Sequence, residues 1–360
     1  MKMIMRWFPG GDDSVTLRQI KQTPGISGVA PCFTDIPVGA VWPLDRLIAL
    51  KETIAAAGLE MEVIESVNIH EDIKKGLPTR DKYIDNYLKT LENLAQIAVK
   101  CVCYNFMPVM DWARSDLAHP LPDGSTAMAY RHEQVLELNP ATIAQVMIGN
   151  ARGFSLPGWE PERLEAMAAD IEFYQSVTPD QYRSHMQYFL DAVIPCAEKY
   201  DIKMAIHPDD PPWPLYGLPK VITGAASIRT LFSLNESPYN GLTFCTGSLG
   251  ANRDNDLPAM ASEFAALGRI HFAHIRNVKH YSARDFDESA HISECGDLDL
   301  FAIVKALHDS GFNGYIRPDH GRMIWGEKAR PGYGLYDRAL GSNYLYGLWE
   351  AITKMKKLSS

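Results

Sequence analysis

Short apolar runs alternate with longer amphipathic stretches along almost the whole chain. Eight of these runs read as β-strands, at 3–7, 27–33, 60–66, 100–106, 203–207, 241–246, 270–275 and 314–318. Most are continuous apolar segments rather than strict alternations, the pattern of parallel strands covered on both faces. Helical repeats lie between them. In 83–99 the residues Tyr87, Leu91, Leu94, Ala95 and Ala98 fall on one stripe, and near the C-terminus Tyr344, Leu348, Ala351, Ile352 and Met355 do the same. Gly311 follows the helix expected over 300–310, where a left-handed terminal residue belongs. Alternating strands and helices in this number predict an α/β fold, a closed (β/α)₈ TIM barrel rather than an open sheet, as one domain over 1–360.

One stretch breaks the rhythm. Between Pro108 and Pro179 no strand is predicted: the start is polar and proline-rich (H-P-L-P-D-G-S), and the later part is helical, with Leu164, Met167, Ala168, Ile171 and Tyr174 in register. It leaves from the C-terminal end of the fourth strand. It therefore predicts a helical insertion, 108–180, on the catalytic rim.

Composition narrows the function. With 360 residues, 46% of them hydrophobic, the chain can bury a large core, and 22% well-mixed charge argues against disorder. A net charge of −9 excludes nucleic acid and an anionic membrane as principal partners. A small acidic metabolite remains open, because a cation within a pocket sets the local field. No apolar run approaches the about 18 residues of a transmembrane helix, and the start M-K-M-I-M-R-W-F-P-G-G has no signal-peptide core. The six cysteines show no disulfide framework, and Cys101 and Cys103 share a strand face as small buried hydrophobes. A cytoplasmic homo-oligomer, a dimer, is expected. No G-x-G-x-x-G follows a strand and no G-x-S-x-G occurs, so neither a nucleotide cofactor nor a serine nucleophile is expected.

Candidate chemistry gathers at strand ends. His207 follows K-M-A-I, Cys245 follows L-T-F, His274 follows I-H-F-A and Asp319 follows Y-I-R-P. Adjacent parallel strands carry their C-terminal ends to one rim, so these metal-ligand types converge there as a catalytic site. A structural zinc site draws its ligands from tight local spacings instead. Taken singly, each residue has a plainer role: a loop histidine, an inert buried thiol, a helix cap or a partner for Arg317 or Arg322. His271 and His274 are three apart and face opposite ways, which selects His274, nearer the rim, and leaves His271 to packing. His320 adjoins Asp319 but points elsewhere, toward a substrate. Arg6, Asn105 and Arg276 are candidate substrate contacts, as is Glu65. His70, Glu71 and the Asp209–Asp210 pair read as loop structure.

The segments M-R-W-F, V-W-P at Val41, V-I-E-S-V-N-I-H-E from Val63, Y-N-F-M-P-V-M-D-W from Tyr104, H-P-D-D-P-P, F-A-H-I-R-N, R-P-D-H-G-R and P-G-Y at Pro331 together resemble the mannonate dehydratase family of xylose-isomerase-like barrels. The resemblance covers nearly the whole chain. It implies conversion of D-mannonate to 2-keto-3-deoxy-D-gluconate with loss of water, in hexuronate breakdown, using a divalent metal, usually Mn²⁺. It maps the ligand set onto His207, Cys245, His274 and Asp319, and an acid/base pair onto His320 and Tyr333, with the two roles open. The donors alone, with a soft thiolate among them, suit Zn²⁺ or Fe²⁺. The chemistry agrees with the parts: taking the C2 proton of a sugar acid needs an electrophile on the carboxylate, a base, and an acid for the departing hydroxyl. Two rivals remain at this point, a metal-dependent isomerase or epimerase on the same barrel, and a non-catalytic sugar-acid binder with a structural metal.

Overall fold

Strands β1 (Lys2–Arg6), β2 (Gly28–Ala30), β3 (Val63–Glu65) and β4 (Cys101–Tyr104) come first in the chain, followed by β5 (Asp116–Pro120) and β6 (Thr126–Tyr130). Then come β7 (Lys203–Ile206), β8 (Asn240–Cys245), β9 (Ile270–Ile275), β10 (Asn277–His280), β11 (Phe286–Ser289) and β12 (Tyr315–Pro318). This computed structural model describes residues 1–359 except 12, 140, 141, 143, 144, 146, 148, 150–152, 155, 157, 158 and 160, and leaves out the side chains of 161–165 and 359. Eight strands form one parallel sheet in the order β2-β1-β12-β9-β8-β7-β4-β3. The seam between β2 and β3 is carried by backbone hydrogen bonds from Val29 to Glu60 (2.9 Å), Glu60 to Ser27 (3.0 Å) and Glu65 to Pro31 (3.0 Å). The sheet is thus closed into the expected barrel.

Its interior is filled by Ile4, Ala30, Val63, Cys101, Cys103, Ala205 and Phe272, a buried cluster separate from the larger core between sheet and helices. Four small side chains, Ala30, Cys101, Cys103 and Ala205, with the larger Ile4, Val63 and Phe272, fill an interior just wide enough for side chains. Burial pushes the Cys103 thiol up to about 12, so it stays a neutral space-filler. Gly311 does have a left-handed φ of 81° and its N–H bonds back to His308 at 3.1 Å, ending the helix Leu300–Asp309.

Two helical stripes need correcting. The helix Arg80–Gln96 buries Tyr87, Leu91 and Leu94 as expected, but it stops before Ala98, whose φ is 56°. In the helix Leu335–Ser359, Tyr344, Leu348 and Ile352 pack on the core as expected, joined by Leu345, but Ala351 is exposed and Met355 is 64% exposed. Trp349 makes an edge contact with His308 at 4.9 Å.

The stretch after β4 also differs from expectation. It contains the hairpin β5–β6, which joins β10 and β11 in an antiparallel sheet of order β10-β11-β6-β5. The turn lies in the proline-rich segment, where Gly124 takes a φ of 82° and Leu121 N–H bonds to Ser125 at 2.9 Å. The Asp-Gly pair was the hairpin signal. It was obscured because T-A-M-A-Y alternates only weakly and its partner F-D-E-S is rich in carboxylates. The later part is helical, Pro161–Tyr174, burying Met167, Ile171 and Tyr174. Ala168 is exposed, and the side chain of Leu164 lies outside the described residues.

Candidate metal centre and active site

The barrel register brings the strand ends together. His207 follows β7, Cys245 ends β8 and His274 lies in β9; their ligand atoms lie within 4.8 Å of one another. Asp319, just after β12, stands beside this group, with Oδ2 3.4 Å from Cys245 Sγ. Its two oxygens are held by Arg317 Nη1 (2.7 Å) and Arg276 Nε (2.8 Å). His207 donates from Nδ1 to the Pro208 carbonyl at 2.7 Å. Burial lowers its pKa, but Cys245 and Asp319 outweigh burial and raise it to about 9, so Nε2 carries a proton toward the thiolate that a metal would displace. His274 is buried with Nε2 3.4 Å from Glu65 Oε2 and Nδ1 3.3 Å from Arg317 Nη2. Burial and Asp319 push the Cys245 thiol up, yet Arg276 and His207 outweigh both and bring it down to about 5. At neutral pH it is therefore a thiolate, the form that ligates. Two imidazoles and a thiolate within reach of one another, with an adjoining carboxylate, are a donor set that fits a divalent metal ion.

His271 lies deeper in the barrel than this group, turned onto the inner face by a bulge. Leu242 pairs with Ile270 but Thr243 pairs with Phe272, so His271 is the extra residue on β9. Its ring lies where a Cβ on Gly241 would come within 2.1 Å. Only glycine fits there.

The ligand group opens into a cleft lined among others by Arg6, Glu65, Asn105, Trp112, Arg317 and Tyr333. Arg6 donates to the Ala30 carbonyl (2.8 Å) and to Cys32 Sγ (2.9 Å). Arg276 also lines it but is spent on three carboxylates: Asp210 at 2.7 Å, Asp319 at 2.8 Å, and Glu288. Arg317 holds Glu65 through two bonds of 2.9 and 2.7 Å. Arg114 clamps Asp210 at 2.8 and 3.0 Å. Burial opposes ionisation of Glu65 and Asp210, but these guanidiniums hold both well below the carboxylate range. Acids and bases alternate, so each buried charge has an opposite neighbour.

Several loop readings hold and one does not. His70 caps the helix Glu71–Lys75 by accepting from Asp72 N–H (3.1 Å), and Glu71 accepts from Lys74 (2.8 Å) and the Tyr174 hydroxyl (2.7 Å). Asp209 accepts from the Val221 and Ile222 amides at 2.9 and 2.7 Å. Asp210, read as part of a plain turn, instead faces the cleft.

His320 and Tyr333 meet on the cleft wall. His320 Nε2 lies 3.1 Å from the Tyr333 hydroxyl, and His320 Nδ1 lies 2.9 Å from Glu288 Oε1. Gly332, with a φ of 77°, lets the chain pass His320, since a Cβ there would sit 3.1 Å from its ring. Burial pushes the Tyr333 hydroxyl up against the pull of Arg317, so it keeps its proton. Tyr336 is 40% exposed and packs against Trp325, outside this wall. Arg114 and Glu288 were not foreseen at all; both come from the segments whose strands were missed or from their flanks.

A family model described as D-mannonate dehydratase (UxuA) matches residues 1–359. The mannonate dehydratase of Thermotoga petrophila is 56% identical over 357 residues, 99% of each chain. That of Geobacillus thermodenitrificans is 50% identical over 357 residues, 99% of this chain and 96% of the relative. The crystal structure of mannonate dehydratase from Streptococcus suis serotype 2 superposes with a TM-score of 0.90 at 44% identity, covering 99% of this chain and 96% of that one. A xylose isomerase-like TIM barrel protein from Mycobacterium smegmatis, solved in complex with magnesium, shares the fold at a TM-score of 0.55 and 13% identity, covering 98% and 97% of the two chains.

Proposed function

The chain belongs to the D-mannonate dehydratase family, and from that premise we propose how its rim residues carry the loss of water from D-mannonate, giving 2-keto-3-deoxy-D-gluconate in hexuronate breakdown. His207, Cys245, His274 and Asp319 hold a divalent metal. Mn²⁺ is assigned on the family's account, while the thiolate by itself suits Zn²⁺ or Fe²⁺. When bound, the cation supplies Lewis-acid polarisation of the substrate carboxylate, which makes the C2 proton removable. Arg6 and Asn105 bind the sugar acid along the cleft wall, whereas Arg276 acts by holding Asp319, Asp210 and Glu288 in position.

His320 and Tyr333 move the two protons. One group takes the proton from C2, the other delivers a proton to the C3 hydroxyl, the C3–O bond breaks, and water leaves. The enol ketonises to the 2-keto-3-deoxy acid. The observation that carries this reading is the 3.1 Å contact of His320 with Tyr333 on the wall of the cleft that also holds the ligand group. Incubating metal-loaded protein with D-mannonate should yield a 2-keto-3-deoxy acid. Recovery of an epimeric or isomeric sugar acid with no loss of water would instead assign an isomerase or epimerase. Among the described residues no helix is long and apolar enough to cross a membrane. The enzyme is proposed to act in the cytoplasm as a homodimer, which sedimentation velocity reads directly.

A further inference from the structure

Glu288 belongs to β11, in the antiparallel sheet beside the barrel rim, and is 1% exposed. Its Oε1 receives three hydrogen bonds: from His320 Nδ1 at 2.9 Å, from Arg114 at 2.9 Å, and from Arg276. Arg114, wholly buried, is itself fixed by its two bonds to Asp210. The carboxylate is therefore anchored by two guanidiniums independently of His320. So placed it is ionised and can only accept. Facing it, the neutral imidazole must carry its proton on Nδ1 and its lone pair on Nε2, because the opposite tautomer would set a lone pair against the anion.

We propose that Glu288 is a positioning residue for the proton-transfer pair: delivered to the rim by the antiparallel sheet, it fixes the Nδ1–H tautomer and ring plane of His320. Nε2 is then the basic nitrogen presented to the Tyr333 hydroxyl and the cleft. This rests on the reading of His320 as a proton-transfer group. A carboxylate orienting a catalytic histidine from behind is a recurrent solution in hydrolases, here built from a carboxylate 32 residues away in sequence. The second oxygen, Oε2, is buried without a partner. Glutamine can therefore keep an acceptor at the Oε1 position while losing the charge, whereas alanine loses both.

The test uses the full-length, metal-loaded enzyme. Glu288→Ala should lower kcat on the order of 10²-fold, the lower end of what acid–base groups contribute, with metal content and KM little changed. Glu288→Gln should lose about tenfold or less, and added formate should restore part of the rate of Glu288→Ala. In a His320→Asn background, Glu288→Ala should cost almost nothing more, because the two act as a unit. Nitrogen-15 spectra of the Zn²⁺-loaded parent, with His320 identified by its absence from His320→Asn, should show the Nδ1–H tautomer. An Nε2–H tautomer there overturns the proposal whether or not the alanine variant folds. So does an equal loss from Glu288→Ala with and without His320. A His320→Asn enzyme at the parent rate would overturn the underlying role of His320 as well, which keeps the two failures apart.

Discussion

At His207 one carbonyl decides the chemistry of the ring. With Nδ1 donating to Pro208 at 2.7 Å, only Nε2 is left to ligate. His207→Ala and Asp319→Ala should therefore lose metal when the purified proteins are analysed, and His271→Ala, at the far side of the β9 bulge, should keep it; equal loss in all three would mean the wrong histidine was chosen. The proton-transfer pair is separable from the ligands in the same way. His320→Asn and Tyr333→Phe should keep metal and slow turnover by roughly 10²–10⁴-fold. With Nε2 the basic nitrogen and Tyr333 holding its proton, His320→Asn should abolish exchange of the C2 proton with solvent deuterium, while Tyr333→Phe retains it. The reverse pattern in the exchange spectra would swap the two roles. The gathering of His207, Cys245 and His274, with Asp319 beside them, was legible in the sequence because each stands at the end of an apolar run, and parallel strands make run ends coincide in space. Glu288, Arg114 and Asp210 were not, since their ion pairs join residues 96 and 174 apart and leave no local pattern.

At the scale of the element, β9 shows what a strand pattern hides. Period-two alternation assigns His271 and His274 to opposite faces, but the unpaired residue in the ladder turns the His271 ring inward over Gly241. Its depth in the barrel, not its face, separates it from the ligand group. His271 is the cost of that bulge. Burial first, then Lys203 and Arg269, lower its pKa to about 3, far below the ordinary value of 6.5. The sign follows from linkage: between pH 6.5 and about 3 the unfolded chain takes up a proton that the folded chain refuses, so stability falls as pH falls across that window. At pH 5 the penalty is about 2 kcal/mol, from about 1.5 units at 1.36 kcal/mol each. Urea unfolding at pH 7.5 and pH 5 should show the parent losing about that much more than His271→Gln; matching losses would mean the imidazole titrates normally in the fold. The β5–β6 hairpin teaches the complementary lesson. Its strands exist because β11 pairs with β6, a contact no window of local sequence contains.

At the scale of the whole molecule, the barrel supplies the ligands and the antiparallel sheet supplies the groups behind them. That sheet joins residues from the 108–180 segment to residues 277–289, so the segment is tied into the rim rather than appended to it. We therefore expect the 360-residue chain to unfold in one transition, coupled to the metal. A cation that binds the folded rim and not the unfolded chain stabilises by about 2.7 kcal/mol at a hundredfold excess over its Kd. The proposed ligands follow β7 and β12 or lie in β8 and β9, so no unfolded segment offers more than one of them nearby, and binding to the unfolded state should be weak. For a chain of this size each kcal/mol moves Tm by roughly 2 °C or less. Treatment with EDTA should thus abolish activity and lower a single calorimetric Tm by a few degrees, and Mn²⁺ should restore both together. Full turnover by demonstrably metal-free protein would sink the metal role. Recovery of Tm but not of activity with Mn²⁺, where Zn²⁺ or Fe²⁺ restores both, would keep the site and change the ion, as the thiolate at Cys245 leaves room for.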